Sequence, residues 1–222
     1  MITLFGNLES GNVHKVQLVL RFLETPYVRV DVSQTRGEAT TEAFLKLNPI
    51  GKFPAVRLES GDIITESCAL LFYFSQATPL WPSDLREQTE VIRWLSFEQN
   101  VHEPTLARSR YLRRFTKAPQ EHREQLAVLR SGAVRALQAL EVHLKGRDWL
   151  VGQACTIADY ALYPYTRVAD ESGFTLADYP SILQWLERIE SQPRFIPMGD
   201  EGAERTVGFD DYFGPCATRA ES

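Results

Sequence analysis

Strand-forming patterns are confined to the first third of this 222-residue chain, and this limits its possible folds more than any other feature. Short runs of alternating or uniformly apolar residues predict strands, and apolar residues three and four apart predict helices. The predicted strands are residues 2–5, 27–32, 53–58 and 62–64, and the predicted helices are residues 13–23, 42–47 and 67–74. The order β-α-β-α-β-β-α fits one mixed sheet with helices packed on it.

Beyond residue 84 the chain shows only helical periodicity. Residues 78–83 (Thr-Pro-Leu-Trp-Pro-Ser) contain two prolines and no periodicity, which is typical of a linker. We therefore predict an α/β domain at 1–77, a linker at 78–84 and an all-helical domain at 85–222. Four helices are predicted in the second domain. The first starts near Val91 and is interrupted at Pro104, and the second runs from Leu126 to Leu144. The third runs from Ile157 to about Ser172, and the fourth follows Pro180. Residues 199–222 are expected to be a coil tail of the helical domain.

Composition excludes several classes of protein. The chain has 29 acidic and 24 basic residues and a net charge of −5, so it lacks the basic excess of a nucleic-acid binder. The positive run at 108–117 lies within one helical pattern and is interpreted as a solvated or subunit-facing helix face. No apolar segment is long enough to span a membrane, and the first residues do not resemble a signal peptide, so a cytoplasmic protein is expected.

Cysteine and histidine patterns predict neither disulfides nor a metal site. Cys68, Cys155 and Cys216 are odd in number and widely spaced, which favours a reducing compartment. His102 and Glu103 are adjacent, so they point to different sides of a helix. With Glu98 and Arg108 they are interpreted as a polar network at an interface, and no metal is expected.

Two segments of the first domain indicate ligand binding. In Asn48-Pro49-Ile50-Gly51-Lys52-Phe53-Pro54, a proline begins a strand although it cannot donate to the ladder. Either Pro54 lies on an edge strand, or its peptide bond is cis and Phe53 presents its backbone to an extended peptide. Glu66-Ser67 precedes a helix, where it is either a simple cap or a site for a ligand's amine and carboxylate.

Taken with further motifs, these segments resemble bacterial cytosolic glutathione S-transferases of the serine-type or asparagine-assisted, theta/beta/nu-like kind. The matching motifs span residues 2–198 in the family's order. They are Ser10-Gly11-Asn12, residues 48–54, Glu66-Ser67, Phe97-Glu98-Gln99, His102-Glu103-Pro104, Leu150-Val151-Gly152 and Thr156-Ile157-Ala158-Asp159. The resemblance implies a thioredoxin-like first domain with a cis Pro54, an all-α second domain, and a homodimer.

The resemblance also implies the roles of individual residues. Phe53 would bind the cysteinyl backbone of glutathione, Glu66 and Ser67 its γ-glutamyl end, and Lys52 would lie near its carboxylates. Glutathione would be a co-substrate, with no other cofactor. The helical domain would bind a small hydrophobic electrophile, for which Arg108, Tyr111 and Tyr165 are candidate contacts. Thr156 and Asp159 read as a structural capping box rather than as catalytic residues.

Catalysis by such a protein requires the glutathione thiolate. A thiol with a pKa of about 8.5 is only slightly ionised at neutral pH, and a hydroxyl donor at a helix N-terminus lowers that pKa. Ser10 lies at the start of the first helix and is the first candidate donor; Asn12 is the second, and Ser10 as a simple helix cap is the alternative.

Two departures from the family pattern qualify this reading. Where serine-type relatives carry a histidine for the glycyl end, this chain has Ala39, so that end would rely on Lys52 or bind more weakly. No cysteine lies near residue 10 and no Cys-x-x-Cys pair occurs, which disfavours cysteine-type chemistry. The predicted function is a glutathione transferase in detoxification. The alternatives are a glutathione-dependent disulfide reductase or isomerase and a non-catalytic binding module.

Overall fold

The computed structural model describes residues 1–116 and 118–215. The described chain forms two compact units: Met1–Phe74 together with the residues from Pro193 onward, and Ser75–Gln192. The first unit is thioredoxin-like with a mixed sheet and the second is helical, so the predicted fold class is confirmed.

The regular elements follow the predicted order, with an addition at the C-terminus. The first unit begins with β1 (Ile2–Phe5), α1 (Gly11–Phe22), β2 (Tyr27–Val30), α2 (Glu42–Leu45), β3 (Ala55–Arg57), β4 (Ile63–Thr65) and α3 (Ser67–Ser75). The helical unit contains α4 (Leu85–Phe97), α5 (Glu103–Arg114), α6 (Arg123–Leu144), α7 (Ile157–Arg167) and α8 (Pro180–Glu190). The chain then returns to the first unit as β5 (Arg205–Val207) and α9 (Phe209–Phe213).

The sheet of the first unit has the strand order β4-β3-β1-β2-β5. β1 is parallel to β2 and antiparallel to β3, and β3 is antiparallel to β4. Successive side chains of a strand point to opposite faces, so Leu4 and Phe5 belong to different cores. One core packs α1 and α3 against the sheet, and the other packs α2 and α9. The sheet thus fixes the N-termini of α1 and α3, which follow β1 and β4.

The C-terminal segment differs from the prediction of a coil tail in the helical domain. β5 pairs in parallel with β2, from Val28 opposite Arg205 to Val30 opposite Val207. Phe209 is buried in the same core as Phe5 and Phe44. A three-residue strand is too short to show a period of two, and its pairing partner lies far away in the sequence. Residues 216–222 of the expected tail, with Cys216, lie outside the described residues.

A buried arginine links this returning segment to β2. Arg29 is 3% exposed. Its guanidinium donates to both carboxylate oxygens of Glu201, to Asp31 Oδ1 at 2.7 Å and to the carbonyl of Gly6 at 2.8 Å. A buried cation requires this kind of complete pairing, since an unpaired charge in the interior is strongly destabilising.

The helical unit follows the predicted periodicity in most places. α4 and α5 are joined by a π-helical turn at Glu98–His102, and Pro104 lies in the first turn of α5, so the predicted interruption is confirmed. α7 ends at Arg167, earlier than the predicted residue 172. Residues 168–173 form successive turns whose i→i+3 bonds, such as Ser172 N–H to the Ala169 carbonyl, have nearly the same spacing as a helix.

The predicted capping box at the start of α7 is present. Thr156 accepts from the backbone of Ala158, and the Asp159 carboxylate accepts from the backbone N–H of Thr156 at 2.8 Å. Asp159 is fully buried and also accepts from Leu150 N–H and Trp185 Nε1–H. It therefore joins three segments of the helical unit.

No helix within residues 1–116 and 118–215 is long and apolar enough to cross a bilayer. Across the same residues, His, Cys, Asp and Glu side chains do not gather into a group of three that could hold a metal ion.

Candidate functional site

The loop between β1 and α1 carries the first candidate residues. Ser10 is the N-cap of α1, and its Oγ accepts from Val13 N–H at 3.3 Å. Gly6 ends the strand at φ 149°, and a Cβ there would lie 2.3 Å from Val13 Cγ2 and 3.4 Å from Phe53 Cβ. Only glycine fits this position. Because Gly6 has no side chain, the loop that carries Ser10 can lie next to Phe53. The sequence signal for Gly6 is its position directly after a buried strand.

The segment from Asn48 to Pro54 forms the second wall of the site. The Phe53-Pro54 peptide bond is cis, which confirms the expectation for Pro54. The β1–β3 ladder begins at Ala55, so the backbone of Phe53 lies outside the strand register. Asn48, which is buried, accepts from Ile50 N–H and donates to the Lys52 carbonyl at 2.7 Å. Asn48 therefore stabilises this turn, a role that its place in the motif does not reveal.

The start of α3 supplies the third wall. Glu66 is exposed and adopts φ 68°, a left-handed conformation uncommon for residues other than glycine. Its carbonyl accepts the first helical bond, from Leu70 N–H. Ser67 is the first residue of α3 and is buried, and its Oγ donates to Asn12 Oδ1 at 3.4 Å. Two candidates predicted from separate motifs, Asn12 and Ser67, are thus in contact.

The electrostatics of these two helix starts favour an anion. The N-terminus of a helix carries a partial positive charge, which stabilises nearby carboxylates and thiolates. In α1 and in α3, both described in full, the first turn contains no acidic residue that would neutralise this charge. Because Ser67 contacts Asn12, the two positive ends lie beside each other.

Ala39, the position at which the family resemblance implies a glycyl-binding histidine in serine-type enzymes, is not accessible to a ligand. Ala39 is 3% exposed and packs in the core with Phe44. Gly51, at φ 68°, approaches so closely that a Cβ there would lie 3.0 Å from the Ala39 carbonyl. Lys52, which follows Gly51, has an exposed side chain and remains the nearest candidate cation in this turn.

In the helical unit, two of the three residues proposed for the second substrate lie together. The guanidinium of Arg108 lies 5.4 Å from the ring centroid of Tyr111, and that ring stacks on Phe115. Tyr111 is 39% exposed, whereas Tyr165 is buried on α7 at 8%. Exposure therefore favours Tyr111 over Tyr165 as a ligand contact.

Glu98, His102 and Glu103 form hydrogen bonds to other side chains of the helical unit. His102 is fully buried, and its Nε2 lies 2.8 Å from Thr166 Oγ1 of α7. Glu98, also buried, accepts from Gln99, which also donates to Glu103. These side chains therefore bond to partners within the helical unit.

Comparison with known proteins identifies the family of this chain. Residues 1–76 match the model of the glutathione S-transferase N-terminal domain, and residues 105–193 match that of the C-terminal domain. The crystal structure of a glutathione S-transferase from Pseudomonas fluorescens Pf-5 is 41% identical and has a TM-score of 0.87. The similarity covers 90% of this chain and 99% of that one. The chain belongs to the glutathione S-transferase family.

Proteins similar to this chain differ in what their names say they do. The disulfide-bond oxidoreductase YfcG of Escherichia coli K12 is 29% identical, over 83% of this chain and 88% of its own length. A solved structure of the yeast protein Ure2p in complex with glutathione is 26% identical, with a TM-score of 0.76, over 87% of this chain and 95% of that one.

Proposed function

We propose that this chain is a glutathione transferase whose first unit binds glutathione and ionises its thiol for attack on small hydrophobic electrophiles. The contact between Ser67 of α3 and Asn12 of α1 carries this proposal. It places two helix N-termini without first-turn acids beside each other, with the Ser10 hydroxyl at one of them. An anionic peptide that also carries a thiolate matches both positive ends.

Glutathione fits the three walls of the site. Its γ-glutamyl carboxylate would accept from the N-terminus of α3 and Ser67, and its amine would pair with Glu66. Its cysteinyl backbone would bond to Phe53, and Lys52 would lie near its glycyl carboxylate. The complex of Ure2p with glutathione supports this choice of ligand.

Ser10 would stabilise the thiolate by donating its hydroxyl proton. The Ser10 oxygen already accepts from Val13 N–H, which orients the hydroxyl but leaves its proton available for a second partner. The cap and the thiolate donor are therefore compatible roles. In the reaction the sulfur lone pair would form the new carbon–sulfur bond while the leaving group departs with its bonding pair, so the Ser10 proton is not consumed.

Replacing Ser10 by alanine is expected to raise the pKa of bound glutathione by about two units, because the hydroxyl donor is lost. At pH values below the thiol pKa of both complexes, the conjugation rate should then fall roughly 100-fold. A pH titration of thiolate ultraviolet absorbance in the complex measures the pKa, and an aromatic-halide assay measures the rate.

Two further variants test whether Ser10 or Asn12 is the donor. Ser10→Thr retains a hydroxyl at the N-cap and should keep most of the activity. Asn12→Ala removes the second candidate donor together with the Ser67 contact, so it should weaken glutathione binding. If Ser10→Ala leaves the thiol pKa unchanged and Asn12→Ala raises it, Asn12 is the donor instead.

Ser67→Ala tests the binding half of the proposal. Losing a hydrogen bond to a charged group is worth about 1.5–3 kcal/mol, so the dissociation constant for glutathione should rise at least about tenfold. Isothermal titration calorimetry measures it, and Ser60→Ala, in the exposed β3–β4 turn, is the matched control. Absence of glutathione binding to the unmodified chain at millimolar concentration would refute the proposal.

A second candidate function is the reduction of disulfides with glutathione, which the resemblance to YfcG supports. Parallel assays with a low-molecular-weight disulfide and an aromatic halide would separate it from conjugation. The likeness to URE2 of Saccharomyces cerevisiae, named a transcriptional regulator, raises a third candidate, a binding module. Glutathione binding without any fall in the thiol pKa would favour that one.

The proposal includes a cytoplasmic homodimer with a role in detoxification, as the family resemblance implies. Exposed aromatic side chains on α3, Phe72 at 43% and Tyr73 at 48%, are consistent with a covered face. A monomer mass of 25.3 kDa in light scattering would contradict the dimer.

A further inference from the structure

A cavity of about 510 Å³ lies within the helical unit, bounded by α5, the first half of α6 and the turn that follows α7. Its volume is in the range of small-molecule sites. Three arginines line it: Arg113 from the last turn of α5, and Arg123 and Arg130 from α6. None of the described residues that line it is Asp or Glu. Neither the sequence motifs nor the proposed transferase chemistry uses this cavity.

The three arginines are exposed at the rim of the cavity, and two of them contact neutral groups. A Cβ at Gly173, which has φ +86°, would lie 2.7 Å from Arg113 Cζ, so the glycine makes room for this guanidinium. The Arg130 guanidinium lies 5.5 Å from the ring centroid of Phe174. Arg123 and Arg130 are seven residues apart, two helical turns, and therefore share one face of α6.

Two neighbouring arginines on α5, unlike those of the cavity, pair with a carboxylate. Arg110 and Arg114 both pair with Glu171, at 2.6 Å and 2.7 Å. Over the described parts of the chain, no carboxylate pairs with Arg113, Arg123 or Arg130. Three like charges around one concave surface repel each other, and a bound anion would relieve that repulsion.

A buried hydroxyl also lines the cavity. Ser109, one turn before Arg113 on α5, is 2% exposed. A ligand oxygen in the cavity would accept a hydrogen bond from this hydroxyl. Leu126, Ala127 and Phe174 provide an apolar wall for the carbon part of such a ligand.

We propose that this cavity binds a small multivalent oxyanion, a molecule with two or more phosphate or carboxylate groups. Guanidinium groups bind both kinds of group through paired N–H donors. The site lies wholly in the helical unit and needs neither glutathione nor Ser10, so it stands or falls independently of the transferase proposal.

Isothermal titration calorimetry of the full chain with pyrophosphate and with citrate tests the site. At least one probe is expected to bind at submillimolar concentration, and the stronger probe identifies phosphate or carboxylate as the preferred group. Arg113→Ala and Arg123→Ala should each weaken binding about tenfold or more, since each removes charge-assisted hydrogen bonds. Added salt should weaken binding as well.

Two controls separate a specific site from general surface charge. Arg135→Ala removes an exposed arginine from the same helix, outside the cavity, and should leave binding unchanged. Gly173→Ala keeps every charge but displaces Arg113, and should weaken binding. Failure of both probes to bind at millimolar concentration, or an equal loss in Arg135→Ala and Arg113→Ala with all variants folded by circular dichroism, would overturn the proposal.

Discussion

Replacing Asp159 by alanine is expected to destabilise the protein by about 5 kcal/mol, because each buried donor left without a partner costs about 1–3 kcal/mol. The carboxylate accepts from Leu150 N–H at 3.0 Å, Thr156 N–H at 2.8 Å, Thr156 Oγ1 at 3.1 Å and Trp185 Nε1 at 2.9 Å. The residue is fully buried, so water cannot replace these bonds. Urea denaturation followed by tryptophan fluorescence measures the loss.

Two control variants show whether the loss of stability in Asp159→Ala comes from the buried hydrogen bonds. Asp178→Ala removes an exposed carboxylate from the same unit and should change stability by less than about 0.5 kcal/mol. Asp159→Asn keeps one acceptor oxygen and should be intermediate. If Asp159→Ala costs no more than Asp178→Ala, the hydrogen-bonded network does not stabilise the helical unit as inferred.

Acidification from pH 6.5 to pH 4 should cost about 3 kcal/mol through His14 alone, at about 1.4 kcal/mol per pKa unit. Burial lowers the pKa of His14 from 6.5 to about 4, although the Ile196 carbonyl and Asp200 favour the charged ring. Above pH 6.5 the ring is neutral in both the folded and the unfolded chain, so the stability is fully present. Below it the unfolded chain binds the proton first, and stability falls until the folded pKa is reached.

The structural reason lies in the packing of α1 against the C-terminal segment. His14 is fully buried on α1, and its Nε2 donates to the Ile196 carbonyl at 2.9 Å. Denaturation midpoints between pH 4 and 7.5 measure the effect. His14→Gln, which can still donate to the Ile196 carbonyl, should flatten the pH profile. Parallel profiles for the unmodified chain and His14→Gln would exclude this role.

Much of the architecture could be predicted because its signals are local. The Thr156–Asp159 capping box needs only its own spacing, and the order of elements up to α3 follows from periods of two and 3.6 residues. The family resemblance supplied what periodicity could not, namely the thioredoxin-like fold and the cis bond before Pro54. The Ser67–Asn12 contact could not be predicted from either residue's own motif, since it depends on how α1 and α3 pack on the sheet.

The structure of the C-terminal segment could not be predicted from the sequence. Its mixed Gly, Asp and Glu composition is typical of coil, yet residues 205–207 form a strand because the edge of β2 offers a partner. Arg29 likewise alternates in a strand pattern that cannot reveal its burial, because Glu201 reaches it from 172 positions away.

By itself, the sequence determined the local elements, the division into an α/β and a helical part, and the motifs that identify the family. Tertiary structure alone decided which distant groups meet: Ser67 with Asn12, Glu201 with Arg29, and three arginines around one cavity. Local preferences depend on neighbours in the chain, whereas hydrogen bonds and charges act through space, so their partners are set only when the sheet and helices have packed.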